Sequence, residues 1–271
     1  MKTFMVVAVV ILGGALAAYY YWQQTQPEPN AVEVTALPPP SAPPKTVVRQ
    51  VVKVPEAKSP LPQLGESDSF MLEALASLMG KESLMKIFRV EQIIHNIVAT
   101  IDNLPSQGLP VNTMPVTQVP GNLVASVADG EMSISPKNTA RYTPYVRIAG
   151  VVNTEKLVEL YLRLYPLFQQ SYEELGYPNK YFNDRLIEVI DNLLAAPDIK
   201  EPVKLVQPKI VYVYADPDLE GRSIGQRILM RIGSDNEAKV KTKLQEIRQE
   251  LFLHMHEEEV KTASKINRLA D

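Results

Sequence analysis

The sequence predicts a mainly α, multi-helix globular domain with a small β-hairpin or strand component, preceded by one transmembrane helix. Three observations carry that expectation. Residues 4–22 form an uncharged apolar stretch, and a proline-rich tract follows it. Beyond residue 64, apolar side chains recur at i, i+3, i+4 and i+7 in several segments, interrupted by one Asp-Gly hairpin signal.

The apolar stretch runs from Phe4 to Trp22 without a charge. At about 1.5 Å per residue it spans roughly 28 Å, close to the thickness of a bilayer's hydrocarbon core. A soluble helix of that length would show a polar face, and this one has none. Tyr19, Tyr20, Tyr21 and Trp22 close it, side chains that settle where apolar and aqueous phases meet. Lys2 precedes the stretch and no further basic residue occurs until Lys45. That bias places residues 1–3 in the cytoplasm and the remainder in the periplasm, as a single-pass protein of the inner (plasma) membrane. Ala15-Leu16-Ala17 also matches a signal-peptidase site, so cleavage after Ala17 is the rival reading. The domain is exported under either.

Residues 23–64 read as a linker. Pro38-Pro39-Pro40 and Pro43-Pro44 fix φ and remove backbone donors, so neither helix nor sheet runs through them. An extended, partly polyproline II spacer is expected. The run Val47–Val54 has strand propensity within it.

Residues 65–271 form the expected periplasmic domain. Apolar periodicity predicts helices over Ser69–Lys86 and Arg89–Asn103, the second ended by Pro105. Asp129-Gly130 between short alternating runs predicts a hairpin over Leu123–Ile134. Asn153–Leu175 carries the clearest stripe, with Pro166 expected to kink it and Gly176 to end it. A further helix is expected over Asn179–Ala196, and Ile210–Tyr214 reads as a strand. Asp216-Pro217 looks like an N-cap followed by proline at the first helical position, with that helix reaching Ile232. Ser234 and Glu237 are spaced as a capping box for a last helix toward Arg268.

Composition excludes several chemistries. With 0 cysteines there is no disulfide, thiolate metal site, iron–sulfur ligation, cysteine nucleophile or lipid-bearing cysteine. A net charge of -3 lacks the basic footprint of a nucleic-acid binder. No phosphate-cradling glycine loop occurs, and no cofactor is expected.

The remaining motifs favour structural roles. Ser83-Leu84-Met85-Lys86 and Ser234-Asp235-Asn236 resemble two elements of penicillin-binding enzymes, but their third, Lys-Thr-Gly, is missing. Glu91 and His95 lie one helical turn apart and read as a surface pair; His254 and His256 would face apart on a helix, so no metal site is expected. Asp184, Glu188 and Asp191 share one helix face, where acid–base work competes with an ordinary salt-bridged surface.

Two segments dense in tyrosine, arginine and asparagine supply the candidate ligand-binding residues: Arg141 and Tyr142 in the first, and Tyr177, Tyr181, Asn183, Asp184, Arg185 and, one turn on, Glu188 in the second. Such side chains form buried struts or recognition surfaces. No catalytic residue is assigned.

The strings from Arg89-Val90 to Leu104-Pro105, then Asn138 to Tyr142, Tyr165 to Gln170, Tyr172 to Pro178 and Phe182 to Leu186, carry a resemblance. At these positions the chain resembles a family of bacterial membrane-anchored proteins, domain of unknown function 3014. The resemblance implies a proteobacterial envelope protein and brings no activity, ligand or catalytic residue with it. The functional expectation is therefore architectural: a non-enzymatic binding or scaffold module, membrane-bound through residues 4–22, whose partner is an envelope protein or glycan and not nucleic acid. The alternative is a cell-envelope hydrolase or transferase using paired carboxylates, and a third reading is a structural subunit of a larger complex.

Overall fold

A computed structural model describes residues 60–109, 113–117, 119–200 and 202–270; at 83, 86 and 255–270 it describes the backbone alone. The expected transmembrane helix, nearly all of the linker, and the side chains of Ser83, Lys86 and His256 lie outside the described residues. No helix among the described residues is long and apolar enough to cross a membrane.

The domain is mainly helical with a small antiparallel sheet. A short 3-10 turn at Leu64–Glu66 leads into α1 (Ser67–Met79), α2 (Lys81–Ile87) and α3 (Ile93–Asn103). The hairpin β1 (Ala125–Ala128) and β2 (Glu131–Ile134) follows, then α4 (Lys137–Gly150), α5 (Thr154–Glu174) and α6 (Phe182–Leu194). Strands β3 (Lys204–Val206) and β4 (Val213–Tyr214) precede α7 (Pro217–Glu220), α8 (Ile224–Arg231) and the long α9 (Ser234–Ala270).

Helix α3 is the centre of the core. Every residue from Ile93 to Ile101 except His95 is buried, and the helix packs against α1, α5 and α6. Helix α9 crosses α4, α5, α6 and α8 and buries Val240, Leu244, Ile247 and Leu251 against them. The aromatic centre lies between α5 and α6, where Phe168 and Phe182 stack with ring centroids 5.8 Å apart.

Several expected boundaries move, each for a visible reason. The first predicted helix breaks in two at Gly80, whose φ of 82° and ψ of 139° take the chain out of the helix. The second begins at Ile93 rather than Arg89, because residues 87–89 are drawn into pairing with 115–117: Phe88 bridges Val116, and the Arg89 N–H donates to the Pro115 carbonyl at 2.9 Å. Glu91 thus precedes the helix and is not a turn-mate of His95. Asp68 of α1 starts α3 from outside, its two carboxylate oxygens accepting the N–H groups of Gln92 and Ile93 at 2.7 and 2.8 Å.

Helix α5 begins at the Asn153 cap, whose side chain accepts the Lys156 N–H, and it continues through Pro166 to Glu174. Asp216 caps α7 as expected, but that helix lasts one turn; Ser223 caps a separate α8. The capping box at Ser234 does not form. Ser234 is already the first helical residue, and the Glu237 N–H goes to the Gly233 carbonyl instead. Glu237 is a buried carboxylate held by Lys241 at 3.0 Å, and buried Asn236 donates to the Thr139 and Ile232 carbonyls.

The sheet is four-stranded in the order β1-β2-β3-β4, antiparallel throughout. Ala128 pairs Glu131 across Asp129 (φ 53°) and Gly130 (φ 78°), the left-handed pair of a type I′ turn. The strand expected over Ile210–Tyr214 contracts to Val213–Tyr214. Val203, Leu205, Tyr214 and Met230 give the sheet its own small core. Polar struts join it to the helices. The Tyr214 hydroxyl donates to the Arg227 carbonyl at 2.7 Å and accepts from Arg231 Nε at 3.1 Å, and Glu220 takes both the Tyr214 N–H and Arg227 Nη1. Asn138, fully buried at the start of α4, pairs with both backbone groups of Val124.

Candidate functional site

A cleft of about 690 Å³ opens where the C-terminal end of α3, the end of α5 and the first turns of α6 meet. Its walls include Asp102, Tyr172, Tyr177, Tyr181, Asp184 and Arg185. Sequence periodicity explains why they converge. The apolar stripes of α3, α5 and α6 pack together, and the polar residues at their ends are left around one rim.

Asp102 and Arg185 fix the rear wall. Asp102 is the one acid on α3 and sits in its last turn, where a carboxylate opposes the helix dipole and terminal carbonyls lack donors. Arg185 answers both needs. Its Nε donates to Asp102 Oδ1 at 2.8 Å and its Nη2 to the Asp102 backbone carbonyl at 2.6 Å. Nη1 meets Glu188 Oε2 at 2.9 Å. Burial works against the Arg185 charge, but its bonds to Glu188 and Asp102 outweigh that and hold its proton more firmly than usual.

Tyrosines build the side wall. The Tyr177 hydroxyl donates to Asp102 Oδ2 at 3.2 Å, and its ring stacks on Tyr172 at 4.7 Å. The Asp102 charge, with a smaller effect of burial, pushes the Tyr177 phenol up; burial and then Asp102 push Tyr172 up to about 12. Lys180 holds its ammonium 5.1 Å from the Tyr177 ring centroid. The 177–181 turn is braced from below by Gln169. This side chain donates to the Lys180 carbonyl at 2.8 Å and accepts the Phe182 N–H at 2.9 Å and the Tyr165 hydroxyl at 3.0 Å.

Asp184 differs from its neighbours. It lines the cleft from the first turn of α6, half-buried, and its carboxylate makes no hydrogen bond or ion pair with any described residue. Burial raises its carboxyl above the ordinary aspartate range. The tyrosines below it are turned elsewhere: Tyr161 donates to Asn183 Oδ1 at 3.3 Å and Tyr165 to Gln169.

The structure thus brings Tyr177, Tyr181, Asp184, Arg185 and Glu188 to one cleft. Asn183 lies behind it, fully buried. Arg141 and Tyr142 line no part of it. Arg141 clasps the carbonyls of Pro120, Gly121 and Asn122, and Tyr142 is buried in the core with its phenol raised by that burial. Asp191, third on the acidic face, is engaged by Arg248 at 2.6 Å. Sequence reasoning missed Asp102 and Tyr172; the available signal was a single acid within the apolar α3 stripe.

A second hollow, about 460 Å³, lies beside Asp68, Gln92 and His95, but Asp68 is spent on the α3 start and Gln170 bonds Glu174. Among the described residues no group of three or more His, Asp or Glu side chains is placed to hold a metal ion.

No curated protein and no solved structure matches the chain. The family model described as "Protein of unknown function (DUF3014)" matches residues 93–248, from the first residue of α3 to Arg248 on α9, more than half of the chain and all of the cleft; the chain belongs to that family.

Proposed function

We propose that this protein is a non-enzymatic binding or scaffold module of the cell envelope, anchored in the inner membrane through residues 4–22 with its domain in the periplasm, and that the cleft between α3, α5 and α6 receives its partner. One observation carries the proposal. The cleft is braced by Arg185, Asp102 and Gln169, yet one carboxylate within it, Asp184, has no hydrogen-bond or ion-pair partner among the described residues. A half-buried carboxylate that lines a preformed concave site and is not used by the fold points to a ligand.

A photo-crosslinking residue in place of Tyr181, introduced in living cells, is expected to trap a discrete adduct. The same residue in place of exposed Val151, outside the cleft, is expected to trap none. Equal adducts from both positions, or none from 181, would contradict the assignment.

The hydrolase or transferase reading draws support from the concavity around Asp184 and Glu188 and from the raised Asp184 carboxyl. It is the weaker reading because Glu188 is already paired with Arg185, so the two carboxylates are not both free to act. Turnover of cell-wall material by the purified protein, abolished in Asp184→Asn, would establish it.

A further inference from the structure

The charged side chains lining the cleft are Asp102, Asp184 and Glu188 against Lys180 and Arg185, an excess of one negative charge. Arg185 is consumed by Asp102 and Glu188. Lys180 reaches over the Tyr177 ring rather than to a carboxylate. Of the three carboxylates in the cleft, Asp184 is the one without an ion pair among the described residues, and a half-buried carboxylate is stabilised by a cation that brings its own hydrogen-bond donors. The walls suit such a cation's stem. Lysine and arginine lay their methylenes along apolar and aromatic surface and place their charged ends at polar groups. Lys180 already shows, within this chain, that the tyrosine wall holds an ammonium against a ring face. A neutral sugar would stack on the tyrosines but leave the Asp184 charge uncompensated.

Resting on the binding role proposed above, we infer that the cleft recognises a cationic side chain of a protein partner, a lysine or arginine from a basic peptide segment, with its charge on Asp184 and its stem along Tyr181.

The test is calorimetric titration of the full-length protein in non-ionic detergent. The probes are acetylated, amidated hexalysine and the neutral sugar chitohexaose. The proteins are the natural chain, Asp184→Asn, Tyr181→Ala and, as a surface control, Glu155→Gln on the exposed first turn of α5. Thermal unfolding of each variant confirms that it is folded. Hexalysine is expected to bind saturably, about tenfold more weakly to Asp184→Asn, the effect of one charge pair worth about 1.4 kcal/mol, and unchanged to Glu155→Gln. Binding that Asp184→Asn and Glu155→Gln leave alike would overturn the inference, showing only attraction to an acidic surface. Chitohexaose binding that Tyr181→Ala removes and Asp184→Asn does not would overturn the cation assignment while upholding the cleft as a binding site. Failure of both probes to bind would count against both.

Discussion

Alanine in place of Arg185 is expected to lower the stability of the domain by about 2–3 kcal/mol, read by chemical denaturation. The change leaves the Asp102 carboxylate, only 12% exposed, with the Tyr177 hydroxyl in place of a charged partner, and removes the Arg185 donor to the Asp102 carbonyl in the last turn of α3. Breaking a fully buried pair from one side costs about 3–5 kcal/mol; the partial exposure of Arg185 places this case lower. Lysine at the same position is expected to recover less than half of the loss, because one ammonium cannot reproduce the fork that reaches both the carboxylate and the carbonyl. Full recovery by lysine would mean that charge alone holds the rear wall.

A second large effect is expected at Gly233, between α8 and α9. Its φ is +91°, and a Cβ there would stand 2.2 Å from Thr139 Oγ1. Thr139 cannot simply retreat, since its carbonyl accepts Asn236 Nδ2 at 3.0 Å. Gly233→Ala is therefore expected to cost about 2–4 kcal/mol, from left-handed strain together with the collision. Combining it with Thr139→Ala removes the hydroxyl and methyl and should return the collision part only. Complete rescue by the double variant, measured by the same unfolding experiment, would show that the backbone conformation carries no cost.

Much of the helical body was legible because burial imposes a period. The stripes of α3, α5 and α6 and the cap at Asp216 are local features, and the Asp-Gly hairpin is local as well. The failures share the opposite property. Helix α4 escaped notice because Pro144 and several polar residues blur its stripe, while its fastening through Asn138 and Asn236 comes from distant segments. Strand β3 is three residues long and exists through pairing with β2 and β4. The late start of α3 depends on long-range partners that no periodicity reveals, Asp68 and the 115–117 segment, while the break at Gly80 is a local backbone turn that the apolar stripe passes over. The candidate site divides along the same line. Tyr177 to Glu188 stood out as one dense stretch, whereas Asp102 lies 83 residues from Arg185 and joins it only in the fold. Arg141 and Tyr142 shared the composition of that stretch but lie apart from it in the fold, Arg141 clasping the 120–122 carbonyls and lining a separate hollow with Tyr145, and Tyr142 buried in the core.

The proposed binding role requires Asp184 to be a carboxylate that the fold tolerates rather than uses. Thermal unfolding of the natural chain and Asp184→Asn from pH 8 to pH 4 tests that most directly. Because burial raises the folded-state pKa above that of the unfolded chain, folding binds a proton more tightly. The penalty is therefore full at high pH and disappears as pH falls through the raised value and below the unfolded one. Asp184→Asn lacks this penalty, while Glu237 and Glu246 titrate alike in both proteins and cancel. The variant is expected to melt about 1–2 °C higher at neutral pH, a small gain because the carboxyl is partly solvated, with the difference closing toward pH 4. A natural chain that instead gains stability over Asp184→Asn as pH rises from 4 to 8 would contradict that role, since the ionised carboxylate would then be stabilised by the fold, the α6 N-terminus included, rather than held for a ligand.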